Sequence, residues 1–451
     1  MVNPWTVTAA SEPRIDLHRA LTRQGQPVSD TTPARDVSDA PASPETSRTV
    51  GERLPAANTR VVFAGGLISL ALGSYALQRY GVERAALFVL GLVLGVTLFH
   101  ARFGFTSAWR QLVSVGQGRG LQAHALMLGA AALLFAPILA SGASLFGHEP
   151  AGFVAPITLG LLVGSVVFGI GMQLGGACAS GTLYATGAGH GPVLITLGAF
   201  IGGSILGIRT VHWWLPGGDL GYQFTEPISL AGTRFGYPGG VAATLTLLGA
   251  IVAIAEVVRR RRRPPSIAPI PSARGVARIL RGSWPLWVGA LVLAGLNAAV
   301  LLTTGRPWGV TGAFRLWGSK LVDALGGDPA AWPAWQGNPA LEASIWLDNT
   351  SVTNIGIVLG ALIAAGIAGT FTFRRTTPRN VVAAHTTGGL LMGYGAAIAF
   401  GCNIGAYFSG IASFSLHGWI WGVMALGGTW IGLRLRTAFG LSNPKPTDSV
   451  C

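Results

Sequence analysis

The chain has 451 residues, half of them hydrophobic and only 11% charged, with a mean hydropathy of +0.51. Soluble domains carry about 25% charged residues, so this composition excludes a water-exposed globular surface and implies a polytopic membrane protein. The formal charge of +14 comes from arginines in connectors and in the N-terminal region, with no basic stripe and interleaved aromatics, which excludes nucleic acid as a partner.

Residues 1–59 are rich in Thr, Ser, Pro, Ala and Arg, and they lack the continuous apolar core of a signal peptide. They read as a disordered cytoplasmic tail. Apolar segments near the length needed to span a bilayer then recur. About ten transmembrane helices are expected, over 61–78, 85–101, 122–147, 152–176, 192–209, 237–258, 284–304, 343–370, 381–400 and 416–433. An arginine-rich linker, 259–282, follows the sixth, and 436–451 forms a second tail. With the linker in the cytoplasm, only Arg79, Arg84, Arg209, Arg234, Arg306, Arg315 and Lys320, of 31 basic residues, fall on the opposite side. That bias predicts both termini in the cytoplasm.

Self-comparison finds a duplication. "GIGMQLGGACASGTLY" (169–184) aligns without gaps on "GYGAAIAFGCNIGAYF" (393–408), matching Cys178 with Cys402 and Gly181 with Gly405. Upstream, "GFTSAWR" (104–110) aligns on "GVTGAFR" (309–315) in the same order. The expected architecture is therefore two five-helix repeats, 60–236 and 237–435, the linker lying in the second. Five is odd, so the repeats are inverted in the membrane. Both cysteines follow an apolar helix and precede small polar residues, which predicts two re-entrant half-helices meeting near the midplane in an hourglass.

A lone cysteine in a helix is often a small buried hydrophobe. Recurrence beside glycines in both halves points instead to a pathway, comprising Cys178, Cys402, Gly175, Gly176, Ser180, Gly181, Gly401, Asn403 and Gly405. A thiol is a weak, soft donor and acceptor suited to a polarizable anion, and backbone N–H groups add positive potential without a fixed charge. Arg110 and Arg315 read as interfacial anchors or as vestibule cations that draw anions to each mouth. His100, His190, His385 and His417 lie near segment ends, and no metal-ligand spacing occurs. Asp348 and Asn349 bind a coupling ion or cap a helix. No P-loop or hydrolytic triad is present, and neither an enzymatic activity nor a cofactor is expected.

The segments "GGACASG", "FGCNIGA", "ARFGFTSAWR" and "RPWGVTGAFRLWG" resemble the YeeE/YedE family of bacterial inner-membrane sulfur-compound transporters, over about residues 60 to 435. The resemblance implies an hourglass inverted repeat in which thiosulfate passes between thiols by hydrogen bonding, a role that falls by motif on Cys178 and Cys402. The thiosulfate branch uses a third pathway cysteine early in its chain; here none precedes Cys178, and Cys451 lies in the tail. The expected function is inward transport of a small sulfur-containing anion, thiosulfate first, with a small cytoplasmic sulfur-carrier protein as a candidate partner. A passive hourglass channel and a membrane enzyme forming a cysteine persulfide are the alternatives.

Overall fold

The computed structural model describes residues 55–265, 273, 275–373 and 376–443. The expected tails and the middle of the linker thus lie largely outside the described residues. Helices α1 (Thr59–Tyr80), α2 (Val82–Ala101), α3 (Phe105–Val115) and α4 (Arg119–Ser141) come first. A two-residue strand β1 (Ile157–Thr158) leads into α5 (Leu159–Leu174), α6 (Ala179–Gly187) and α7 (Gly191–Trp214), and β2 (Gln223–Thr225) pairs antiparallel with β1. Then follow α8 (Gly236–Arg262), α9 (Ala277–Arg281), α10 (Leu286–Thr304), α11 (Thr311–Ala324), α12 (Asn349–Ala368) and α13 (Arg379–Ile398). A π-helical turn, Asn403–Ser409, runs into the single turn α14 (Gly410–Ala412), and α15 (Leu416–Ala438) ends the helices.

Among the described residues nine helical stretches, not ten, are long and apolar enough to cross a membrane. The tenth expected segment does form a helix, α15, but His417, five glycines and three tryptophans lower the hydropathy of 416–433. Two other expected boundaries move for local reasons. The fourth segment becomes helical only at Leu159, because Pro156 disfavours helix in the residue before it and Thr158 Oγ1 accepts from Leu161 N at 3.0 Å. The eighth begins at Asn349, where the Asp348 carboxylate accepts from Ser351 N and Thr350 Oγ1, each at 2.7 Å. That cap accounts for Asp348 without a coupling ion. Short helices α3 and α11, which carry the duplicated "GFTSAWR" and "GVTGAFR" residues, were not expected from hydropathy.

The long helices pack through small residues, as expected where lipid supplies no hydrophobic drive between helices. α13 lies between α5 and α7, α15 lies on α5, α12 on α2, and α4 between α8 and α10. A Cβ added at Gly388 would sit 2.2 Å from Gly175 N, and one at Gly395 would sit 2.5 Å from Gly164 O. At these points α5 and α13 are therefore in backbone contact. Buried aromatics fill the wider gaps, with Phe200 against Phe314 at 4.9 Å between ring centroids and Phe168 against Trp421 at 5.3 Å.

Candidate functional site

The residues matched by self-comparison lie at two interruptions of helix. At the first, α5 stops at Leu174 and Gly176 turns the chain with φ +77°, a region that glycine occupies without a Cβ penalty. Cys178 then caps α6, its carbonyl accepting from Thr182 N at 2.7 Å and from Thr182 Oγ1 at 2.8 Å. Its sulfur lies 3.6 Å from Ser180 Oγ, and a Cβ at Gly181 would stand 3.4 Å from it. Long-range contacts hold this interruption from outside. Thr196 Oγ1 donates to Gly175 O at 3.1 Å and lies 2.7 Å from His385 Nδ1. Arg436 donates to Gln173 O at 2.6 Å and to Ser442 O at 2.9 Å.

At the second interruption, Phe400 (φ 62°) and Gly401 (φ 142°) turn the chain after α13. The Cys402 carbonyl accepts from Ala406 N at 2.9 Å and Tyr407 N at 3.3 Å, and the longer-range bond makes the turn π-helical. The N–H groups of Gly405 and Ile404 are directed at the Cys402 sulfur. Asn403 is wholly buried, and neither amide atom has a partner among the described residues. A closed buried network secures the far end of the turn. Asn297 Nδ2 donates to Ser409 Oγ at 3.2 Å, Ser409 Oγ to Trp308 O at 2.7 Å, and Trp308 N to Asn297 Oδ1 at 2.8 Å.

The two interruptions meet. α6 packs against the Asn403–Ser409 turn, and the two thiols are within electrostatic reach of each other. Among the described residues neither Cys178 nor Cys402 is in a disulfide, and each is at most 1% exposed. A cavity of about 170 Å³ reaches the Cys402 interruption, lined by Gly401, Gly405, Arg306 and Arg315, and it shares Arg306 and Trp308 with a larger cavity of about 550 Å³. A second cavity of about 170 Å³ reaches the Cys178 interruption, lined by Gly176, Gly181, Tyr184, His190 and Arg102. Cys178, Ser180, Cys402 and Asn403 line neither cavity and are buried beside the lining residues Ala177, Gly181, Gly401 and Gly405. Gly175 is buried against Thr196 and Met392, where α5 meets α13.

Of the two arginines singled out by sequence, Arg315 lines the Cys402-side cavity, within electrostatic reach of Asp348. Arg110 lines neither of these cavities. It is buried in α3, 6% exposed and near Arg436. Arg102 and Arg306 stand in the linings instead, and both lie inside the motifs already quoted, just ahead of α3 and α11. The duplication shows them in nearly the same register, one residue apart. His100 stacks on Trp284 at 5.5 Å and His417 Nδ1 accepts from Ala155 N at 3.3 Å, so both are accounted for by packing and hydrogen bonding.

The chain is similar to curated transporters. It is 28% identical to the thiosulfate transporter TsuA of Spirochaeta thermophila over 352 residues, covering 76% of this chain and 96% of the relative. It is also 28% identical to the Escherichia coli thiosulfate transporter TsuA over 348 residues, 76% of this chain and 91% of the relative. The probable transporter YedE of Salmonella typhimurium is 31% identical over 163 residues, 34% of this chain and 39% of the relative. These relatives are named as transporters, not as enzymes. The Sulphur transport family model matches residues 100–431, which spans both interruptions and both short helices ahead of them, so this multi-pass membrane protein belongs to that family, the one its YeeE/YedE motifs resemble.

Proposed function

We propose that the chain takes up a small sulfur-containing anion, thiosulfate first, across the bacterial inner membrane through a constriction formed by Cys178 and Cys402. One observation carries this reading. Two cysteines from opposite halves of the chain sit at equivalent helix interruptions that pack together, each reached by its own cavity. In that arrangement the thiols and nearby N–H groups hydrogen-bond the anion in passing. No fixed charge is needed at the narrowest point, so binding stays weak enough for release. Inverted repeats and re-entrant segments belong to the same reading. The pairings α7 with α13 and α5 with α15 exchange equivalent elements of the two halves, as do α2 with α12 and α10 with α4. The basic linker favours cytoplasmic termini, and a small cytoplasmic sulfur-carrier protein would receive the anion.

The test is uptake of labelled thiosulfate in cells lacking other routes. Cys178→Ala and Cys402→Ala each reduce it at least about a hundredfold, because each removes a donor from a dry constriction, while membrane content stays at the wild-type level. Full uptake by both variants would remove the thiol mechanism.

A further inference from the structure

The Cys178-side cavity holds a cation that the self-alignment passes over. Arg102 is half-buried in its lining, whereas Arg110, which the alignment pairs with Arg315, lies outside it. The backbone of Arg102 is in the left-handed region at φ 45° and ψ 43°, where a long side chain is uncommon. That conformation closes α2 as its C-cap, so the end of the helix fixes the point from which the side chain starts. Its guanidinium is also within electrostatic reach of His190, another lining residue. Among the described residues no acidic side chain lines this cavity, so none in its wall neutralises the charge of Arg102. The opposite cavity also carries arginine, with Arg306 and Arg315 both in its lining and Arg306 five residues ahead of α11.

The size narrows the occupant. About 170 Å³ lies below the roughly 300 Å³ at which pockets for organic ligands begin, which suits an anion of a few atoms. Gly176 and Gly181 form the inner wall, and a Cβ at Gly181 would stand 3.4 Å from the Cys178 sulfur. An anion here would have the guanidinium on one side and the Cys178 interruption on the other.

We propose that this cavity is an anion subsite whose positive charge is supplied by Arg102, the counterpart of Arg306 at the other mouth. The proposal rests on the transport reading above and adds which residue serves each mouth. A cation that merely complements the C-terminal end of α2 would be structural, and its loss would not act on one mouth alone.

The experiment measures initial thiosulfate uptake into right-side-out and inverted membrane vesicles, which present opposite mouths to the medium. Arg102→Asn removes the charge with a residue that tolerates the left-handed region, Arg102→Lys keeps the charge, and Arg306→Gln serves the other mouth. Arg102→Asn is expected to raise the half-saturating thiosulfate concentration about tenfold from one side, with less than a twofold change from the other. Arg306→Gln shows the converse, and Arg102→Lys stays near wild type. Equal shifts from both sides, no shift in either, or Arg102→Lys failing to insert while Arg102→Asn transports normally would each overturn the subsite. A wild type that carries sulfate but not thiosulfate would overturn the substrate and leave the subsite to be read with sulfate in the same vesicles. A wild type that carries neither anion overturns the transport reading, and the subsite with it.

Discussion

The Cys178 and Cys402 interruptions do the same thing to the chain by different means. After Cys178 a regular nine-residue helix forms, and the preceding turn is tied down by residues from distant helices, Thr196 and Arg436. After Cys402 the backbone is π-helical, approached through two consecutive residues at positive φ, and secured by the Asn297–Ser409–Trp308 network. The first interruption is regular within and braced from outside. The second is irregular within, and it keeps an unpartnered amide, Asn403, beside its thiol. Pseudo-symmetry of sequence therefore does not require equivalence of local energetics.

Three substitutions test that contrast. The largest effect is expected for Gly388→Ala, since its Cβ would stand 2.2 Å from Gly175 N, against backbone that cannot give way. Overpacking of this kind costs at least about 1–3 kcal/mol. The variant should lose most of its folded population by size-exclusion chromatography in mild detergent, and a wild-type profile would mean that the α5–α13 contact is looser than described. Asn297→Ala comes next. It leaves Trp308 N and Ser409 Oγ short of partners at a cost of about 1–3 kcal/mol, read as a lower midpoint in a thermal-shift assay. An unchanged midpoint would show that the second interruption does not depend on its network. The smallest stability effect belongs to Asn403→Ala, which removes a buried amide with no protein partner and should change the midpoint by less than about 0.5 kcal/mol equivalent. If the amide serves the passing anion, uptake falls several-fold all the same. A variant equal to wild type in both measurements would make Asn403 a packing residue.

Much of this was legible in the sequence. The long helices follow from hydropathy, and both interruptions follow from "GGACASG" and "FGCNIGA", where glycine permits the turn and cysteine recurs at one register. The assignment of charge to the mouths was legible only in part, because Arg315 does line the Cys402-side cavity but Arg110 lies outside the other. Exact alignment pairs Arg110 with Arg315, but the lining arginines Arg102 and Arg306 stand one residue apart in that alignment, so a gapless comparison passes over them. The braces were equally hidden, because Arg436 meets Gln173 across 263 residues and no local pattern announces the contact. α15 falls short of a hydropathy criterion because His417, five glycines and three tryptophans dilute the aliphatic residues of 416–433, while the bracing arginine sits beyond that stretch, in the last turn.

The backbone contact between α5 and α13 also has a mechanical meaning. Helices separated by side chains can slide or rotate a little as rotamers adjust, but Gly388 and Gly175 have no side chains to adjust. Movement of either helix along the other drives peptide against peptide. The α5–α13 contact is thus stiff on the scale of whole helices, and under the transport reading proposed above the freedom to let an anion past would fall to side chains and to the short segments 176–178 and 400–403. On that reading, a stiff frame with small moving parts would favour many quick passages over one large rocking motion per ion.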